Sequence, residues 1–164
     1  MIHQASVVAM DRTLGALSAI LSKADAHCTA RKIDPAALTT ARLFPDMFPL
    51  TRQVHLACDF GVRSAARLAG IDVPSFPDVE QTFAELADRI ARARAFMATV
   101  TPDHMQDAET RPVTIKVRGQ DMTLTGAVYL TEYALPNFHF HATTAYDILR
   151  HNGVELGKSD YMGA

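Results

Sequence analysis

Apolar residues recur at alternating steps of three and four in three separate stretches of this chain. Val7, Met10, Leu14, Leu17, Leu21, Ala24 and Cys28 form the first, Leu50, Val54, Ala57, Gly61, Ser64 and Leu68 the second, and Val79, Phe83, Leu86, Ile90, Ala93, Met97 and Val100 the third. A repeat averaging about 3.5 residues lies on one face of an α-helix, and that face is buried best against other helices packed nearly parallel to it. The first helix is expected to fade near Ala30. The second should open at Pro49, run to about Ala69 and stop at Gly70, with small residues in its stripe that allow a close neighbour. Asp78, with Gln81 three residues on, reads as the cap of the third. Its charged residues, Glu85, Asp88, Arg89, Arg92 and Arg94, are assigned to the opposite, solvated face.

Between the first two helices, Asp34-Pro35 predicts a short helix over Pro35–Thr40. Leu43-Phe44-Pro45-Asp46-Met47-Phe48-Pro49 cannot be regular helix, because each proline constrains the residue before it. Its Phe and Met side chains are expected to cover one end of the core. After Thr101-Pro102 the period changes. Val113, Ile115 and Val117 alternate with polar residues, as do Met122 and Leu124, with Arg118-Gly119-Gln120-Asp121 between them. This predicts a β-hairpin that needs helices to pack on. A fourth helix follows from about Ala127 to Asn152, bounded by Gly153 and kinked or divided by Pro136, with Leu135, Phe138, Ala142, Ala145 and Leu149 as its seam. The expected fold is all-α: a single four-helix bundle domain over residues 1–164, with a small β-hairpin before the last helix.

Composition narrows the function more by exclusion than by indication. Sixteen Lys and Arg against eighteen Asp and Glu give a formal charge of -2. No basic surplus points to nucleic acid. The start, Met1-Ile2-His3-Gln4, has no secretory pattern, and the charge-free stretch from Thr13 to Ser22 is too short to span a bilayer. No membrane role is expected, a cytoplasmic location is, and Cys28 and Cys58 are read as reduced, buried thiols. Gly-x-Ser-x-Gly, Gly-x-Gly-x-x-Gly and phosphate-loop patterns do not occur.

Helical bundles build sites from inward polar side chains on facing helices. On the fourth helix Asn137, His141 and Thr144 step by four and three beside the seam. On the second, His55 and Asp59 are also four apart and next to Arg52. Two such pairs, face to face, could hold a divalent metal, since imidazole nitrogen and carboxylate oxygen suit Zn²⁺, Fe²⁺ or Ni²⁺. Against this, a helical histidine in a buried face is more often hydrogen-bonded than ligated, and Asp59 could simply pair with Arg52 or Arg63. Cys58, one turn from His55, could act as a nucleophile but reads more simply as a core residue. His3, His27, His104 and His151 lie near segment ends and are read as solvated.

The segments Ala41–Val54, Leu135–His141 and Thr143–Gly153 resemble a bacterial family of unknown function within the DinB/YfiT-like superfamily of four-helix bundles, and the likeness covers nearly the whole chain. That resemblance implies a bundle in which many members bind a divalent metal through three histidines, one on the second helix and two, four apart, on the fourth. His141 matches the later fourth-helix position and His55 is the second-helix candidate, while Asn137 departs from the pattern. The site then looks incomplete or remodelled. The superfamily also holds thiol-dependent transferases, proteins without known activity and many homodimers, so fold does not fix function. The leading expectation is a binding module for a small molecule, or one with a vestigial site, whose polar pocket between the second and fourth helices is made by Arg52, Asn137, His141 and Tyr146. The alternative is a divalent-metal-dependent hydrolase or thiol transferase with His55 and His141 as ligands to Zn, Ni or Fe. Self-association would use the Leu43–Leu50 segment in a homodimer.

Overall fold

In the computed structural model, which describes residues 1–163, the first stripe becomes the inner face of a long rod. It comprises a π-helical start, Gln4–Val8, and α1, Ala9–Arg31. By length and hydropathy this rod could cross a membrane, despite the charges that interrupt it. Its Leu14, Leu17, Ile20 and Leu21, however, are buried in the bundle core. The short α2, Ala36–Thr39, follows a turn in which Asp34 Oδ1 accepts from the Ala36 N–H at 3.0 Å.

Helix α3, Leu50–Ala69, ends on Gly70, whose positive φ of 70° is the left-handed stop expected there. Helix α4, Phe83–Ala98, begins later than Asp78. Thr82 is its cap: its side chain accepts from the Glu85 N–H while the Glu85 carboxylate accepts from the Thr82 N–H. A complete reciprocal box outcompetes the partial one at Asp78. Val79 is consequently outside the helix and 69% exposed.

A 3₁₀ turn, Pro102–Met105, leads to the antiparallel strands β1, Pro112–Val117, and β2, Gln120–Thr125. Arg118 and Gly119 both have positive φ, the two-residue turn that suits the strand twist. Val113 and Ile115 anchor β1 in the core, whereas Met122 opposite Ile115 is 41% exposed. The last rod is one run: α5, Gly126–Val128, a π-helical stretch, Tyr129–Ala134, and α6, Leu135–His151. Pro136, expected to kink or divide the last helix, is the second residue of α6 and directly follows the wider π turns, where regular α-helical bonding is already interrupted. A short α7, Lys158–Met162, packs on α1, tied by Lys23 Nζ to Asp160 at 2.5 Å.

Within the bundle α3 packs on both α6 and α4, and α4 also packs on α1. Two expectations about side chains are corrected. Phe44 and Phe48 do not cover the core but are 64% and 52% exposed; from this segment Leu43 packs against the core, and Leu38 and Leu50 on either side of it are buried. His3 is not simply solvated: its Nε2 donates to the Val100 carbonyl at 2.8 Å.

Candidate functional site

Arg89 is a charged residue with no exposed surface. Although assigned to the solvated face of its helix, it lies three residues after Leu86 and four before Ala93, inside the apolar stripe. Its guanidinium donates to Asp59 Oδ1 at 2.7 Å, to the Pro77 carbonyl at 2.8 Å, to Asp78 Oδ1 at 3.2 Å and to Glu80 Oε2 at 3.4 Å. The Phe76 ring lies 5.3 Å from its centre. A desolvated guanidinium is tolerable only when carboxylates surround it, and these three come from α3 and the loop before α4. Arg92 and Arg63 complete the cluster, pairing with Glu80 at 2.5 Å and Asp59 at 2.8 Å.

His55 and Arg52 stand at the open side of this cluster. His55 is 5% exposed, with Nε2 3.1 Å from Glu80 Oε2 but out of line for a hydrogen bond, and Nδ1 3.8 Å from Asp78 Oδ1. Burial holds its pKa below the usual imidazole value, and the pull of Asp78 only partly offsets this. Burial alone would raise the Glu80 carboxyl, but its backbone bond and the Arg92 and Arg89 guanidinium groups outweigh that and hold it below the carboxylate range. Asp78 behaves likewise through its pair with Arg52. Arg52 also lies over the Phe48 ring at 5.9 Å. A cleft of about 680 Å³ opens here, between α2, the first turn of α3 and the Asp78–Thr82 segment.

His141 occupies different surroundings. It turns into the bundle, and its Nδ1 donates to Gln53 Oε1 at 2.8 Å. Since an amide oxygen only accepts, the proton is on Nδ1. The ring stacks on Phe60 at 5.8 Å and meets the edge of Phe140 at 5.3 Å. Burial, helped by the charge of Arg52, pushes its pKa down to about 4, so the ring is neutral at pH 7.

The two histidines thus do not share a partner. His55 faces the carboxylates of the loop before α4, and His141 faces Gln53 and two aromatic rings. Asn137 donates its amide to the Tyr133 carbonyl at 2.7 Å, and Tyr146 packs edge-on against Tyr161, away from both. Among the described residues no group of three or more His, Cys, Asp or Glu side chains is arranged to hold a metal ion. The donors suggested by the resemblance therefore do not fit a shared ion here. The cleft contains Arg52 and His55 but not Asn137, His141 or Tyr146, so it lies on the α2 and α4 side of α3 rather than between α3 and α6. Cys58 is free and buried, and burial pushes its thiol up to about 12, which removes it as a nucleophile.

The model for Domain of unknown function (DUF1993) matches residues 2–162. This chain belongs to the DUF1993 family. Its DinB-like membership is supported by the crystal structure of a DinB family member protein from Shewanella denitrificans, which is 42% identical to it. That match covers 100% of this chain and 93% of the other, with a TM-score of 0.94. No curated protein matches the sequence. The family assignment agrees with the architecture described above, an all-α bundle with one hairpin, and leaves the chemistry to the residues of this DUF1993 chain itself.

Proposed function

We propose that this protein is a small-molecule binding module whose site is the cleft beside Arg52 and His55. The observation that carries the reading is unfinished hydrogen bonding at a pre-formed concavity. His55 is 5% exposed, lines the cleft and has no aligned hydrogen bond at either ring nitrogen, with Nε2 turned to Glu80 and Nδ1 3.8 Å from Asp78 Oδ1, while Arg52 donates to Asp78 through Nη1 only. Of the described residues with an unpartnered buried side-chain atom, His55, Ser64 and Arg89, His55 alone lines the cleft, and it does so beside Arg52, so a ligand there would complete both. The ion cluster behind them fixes the wall rigidly, which lowers the ordering cost of binding.

The test is amide NMR of the full chain against a library of polar metabolites. Saturable shifts clustered on Thr51, Arg52, His55 and Gln81, abolished by Arg52→Ala, support the reading. A library that moves only residues around His141, or none, refutes it. The metal-dependent alternative rests on the resemblance; metal analysis of untagged protein should find only sub-stoichiometric Zn, Ni or Fe, unchanged by His141→Ala. A homodimer is part of the proposal, supported by the exposed Phe44 and Phe48. Sedimentation should then show self-association that Phe44→Ser with Phe48→Ser weakens.

A further inference from the structure

The first turn of α3 lacks every usual cap. Pro49 precedes it, no side chain accepts from its N–H groups, and no acidic residue lies in the turn. Leu50 N–H donates to the Ala41 carbonyl and Gln53 N–H to the Pro49 carbonyl. Among the described residues, neither the Thr51 nor the Arg52 N–H meets an acceptor. Helix starts concentrate partial positive charge, and two free amides there are an anion cradle. Both residues line the cleft. The Arg52 guanidinium, with Nε and Nη2 unused, adds a full positive charge at the same place.

A second, independent feature lies one turn further along the same wall. The buried His55 ring stands between Asp78 and Glu80 with Nδ1 3.8 Å from Asp78 Oδ1. The Glu80 carboxylate 3.1 Å from Nε2 favours the ring proton there, which leaves Nδ1 an acceptor; it and Asp78 Oδ1 cannot bond each other, but a multivalent donor between them serves both. Asp78 and Arg52 form an ion pair in which each side chain keeps 36% exposure. A half-exposed Arg–Asp pair presents a dipole to the cleft, and the ligand that best covers a dipole carries the reverse one.

We propose that the cleft binds a small amino-acid-like zwitterion, its carboxylate on the Thr51 and Arg52 amides and the Arg52 guanidinium, its ammonium on Asp78 and His55. This deepens the proposed binding function and rests on it. A plain anion would meet Asp34, Asp78 and Glu80 in the lining, and a plain amine would leave the helix start uncapped. Only a ligand with both charges answers both ends. The cleft volume leaves space for a side chain beyond the two charged groups.

The probes are L-alanine and γ-aminobutyrate as zwitterions, with propionate and propylamine as half-ligands, titrated into the ¹⁵N-labelled full chain. The expected result is saturable movement of the Thr51 and Arg52 amides by at least one zwitterion, about tenfold tighter than either half-ligand, because each end adds a charge-assisted contact. Arg52→Gln should weaken that zwitterion by about tenfold or more with the rest of the spectrum intact, and Arg52→Lys, which keeps charge but not the fork, should lie between. A half-ligand binding as tightly as the zwitterions overturns the proposal. So does a library in which other compounds move these amides and zwitterions do not, an outcome that leaves the cleft a binding site. If nothing moves them, both readings fall.

Discussion

Two sides of helix α3 bury imidazoles in opposite ways. Towards α6, His141 is a neutral ring in an aromatic setting with one hydrogen bond to Gln53. Towards α4, His55 sits among full charges, next to carboxylates already shared by three arginines. The first arrangement needs a single matched partner. The second needs a balanced set of ions, and where it borders the cleft it leaves His55 Nδ1 3.8 Å from Asp78 Oδ1 without a hydrogen bond. A satisfied neutral pair is a packing element, whereas an edge of an ionic cluster is where a ligand can enter.

The sharpest way to break this contrast is Arg89→Met. It strips the shared cation from Asp59, Asp78 and Glu80, and chemical denaturation should show a loss of about 3–5 kcal/mol. A loss below about 1 kcal/mol, the range of a surface pair, would mean the cluster is solvated and that side no different from an ordinary surface.

Acidification probes the other side. His141 has a folded pKa of about 4 against 6.5 for a free imidazole. A depressed folded value means the fold favours the neutral ring. Its contribution is therefore full above about pH 6.5 and is lost as pH falls towards 4, amounting to about 3 kcal/mol. His55 shifts in the same direction and adds to the loss in that window. A ¹H–¹⁵N titration of the His141 ring that gives a midpoint near 6.5 would show the ring to be wet.

Truncation separates the neutral pair from the charges more finely. His141→Ala leaves Gln53 Oε1 unmatched and should cost about 1–3 kcal/mol, while His141→Phe combined with Gln53→Leu, which removes both partners, should stay within about 1 kcal/mol. Equal losses in the two would mean that volume, not hydrogen bonding, governs the site. The smallest effect belongs to the rim: Asp88, 68% exposed and bonded to Arg92, should change melting by no more than about 0.5 kcal/mol as Asp88→Asn.

The bundle was legible because its stripes are long and regular, and hairpin and stop signals such as Arg118-Gly119 and Gly70 are local chemistry. The site was less so. Arg89 and Gln53 stand inside apolar stripes, at Leu86 plus three and Ala57 minus four, and those interruptions were the available signal for both. Glu80 gave none, since a loop carboxylate is buried only by the tertiary placement of Arg89 and Arg92. Spacing likewise put His55 and Asp59 on one helical face, but whether that face meets α6 or α4 depends on how the rods pack.

The π-helical stretch Tyr129–Ala134 sets the angular phase of everything after it. Successive residues of an α-helix are offset by about 100° around the axis, so a turn holding an extra residue swings the following segment round by that angle. His141 meets Gln53 rather than solvent because of this dial setting. Shortening the stretch by one residue would leave the composition of the rod nearly untouched and aim a different column of side chains at α3.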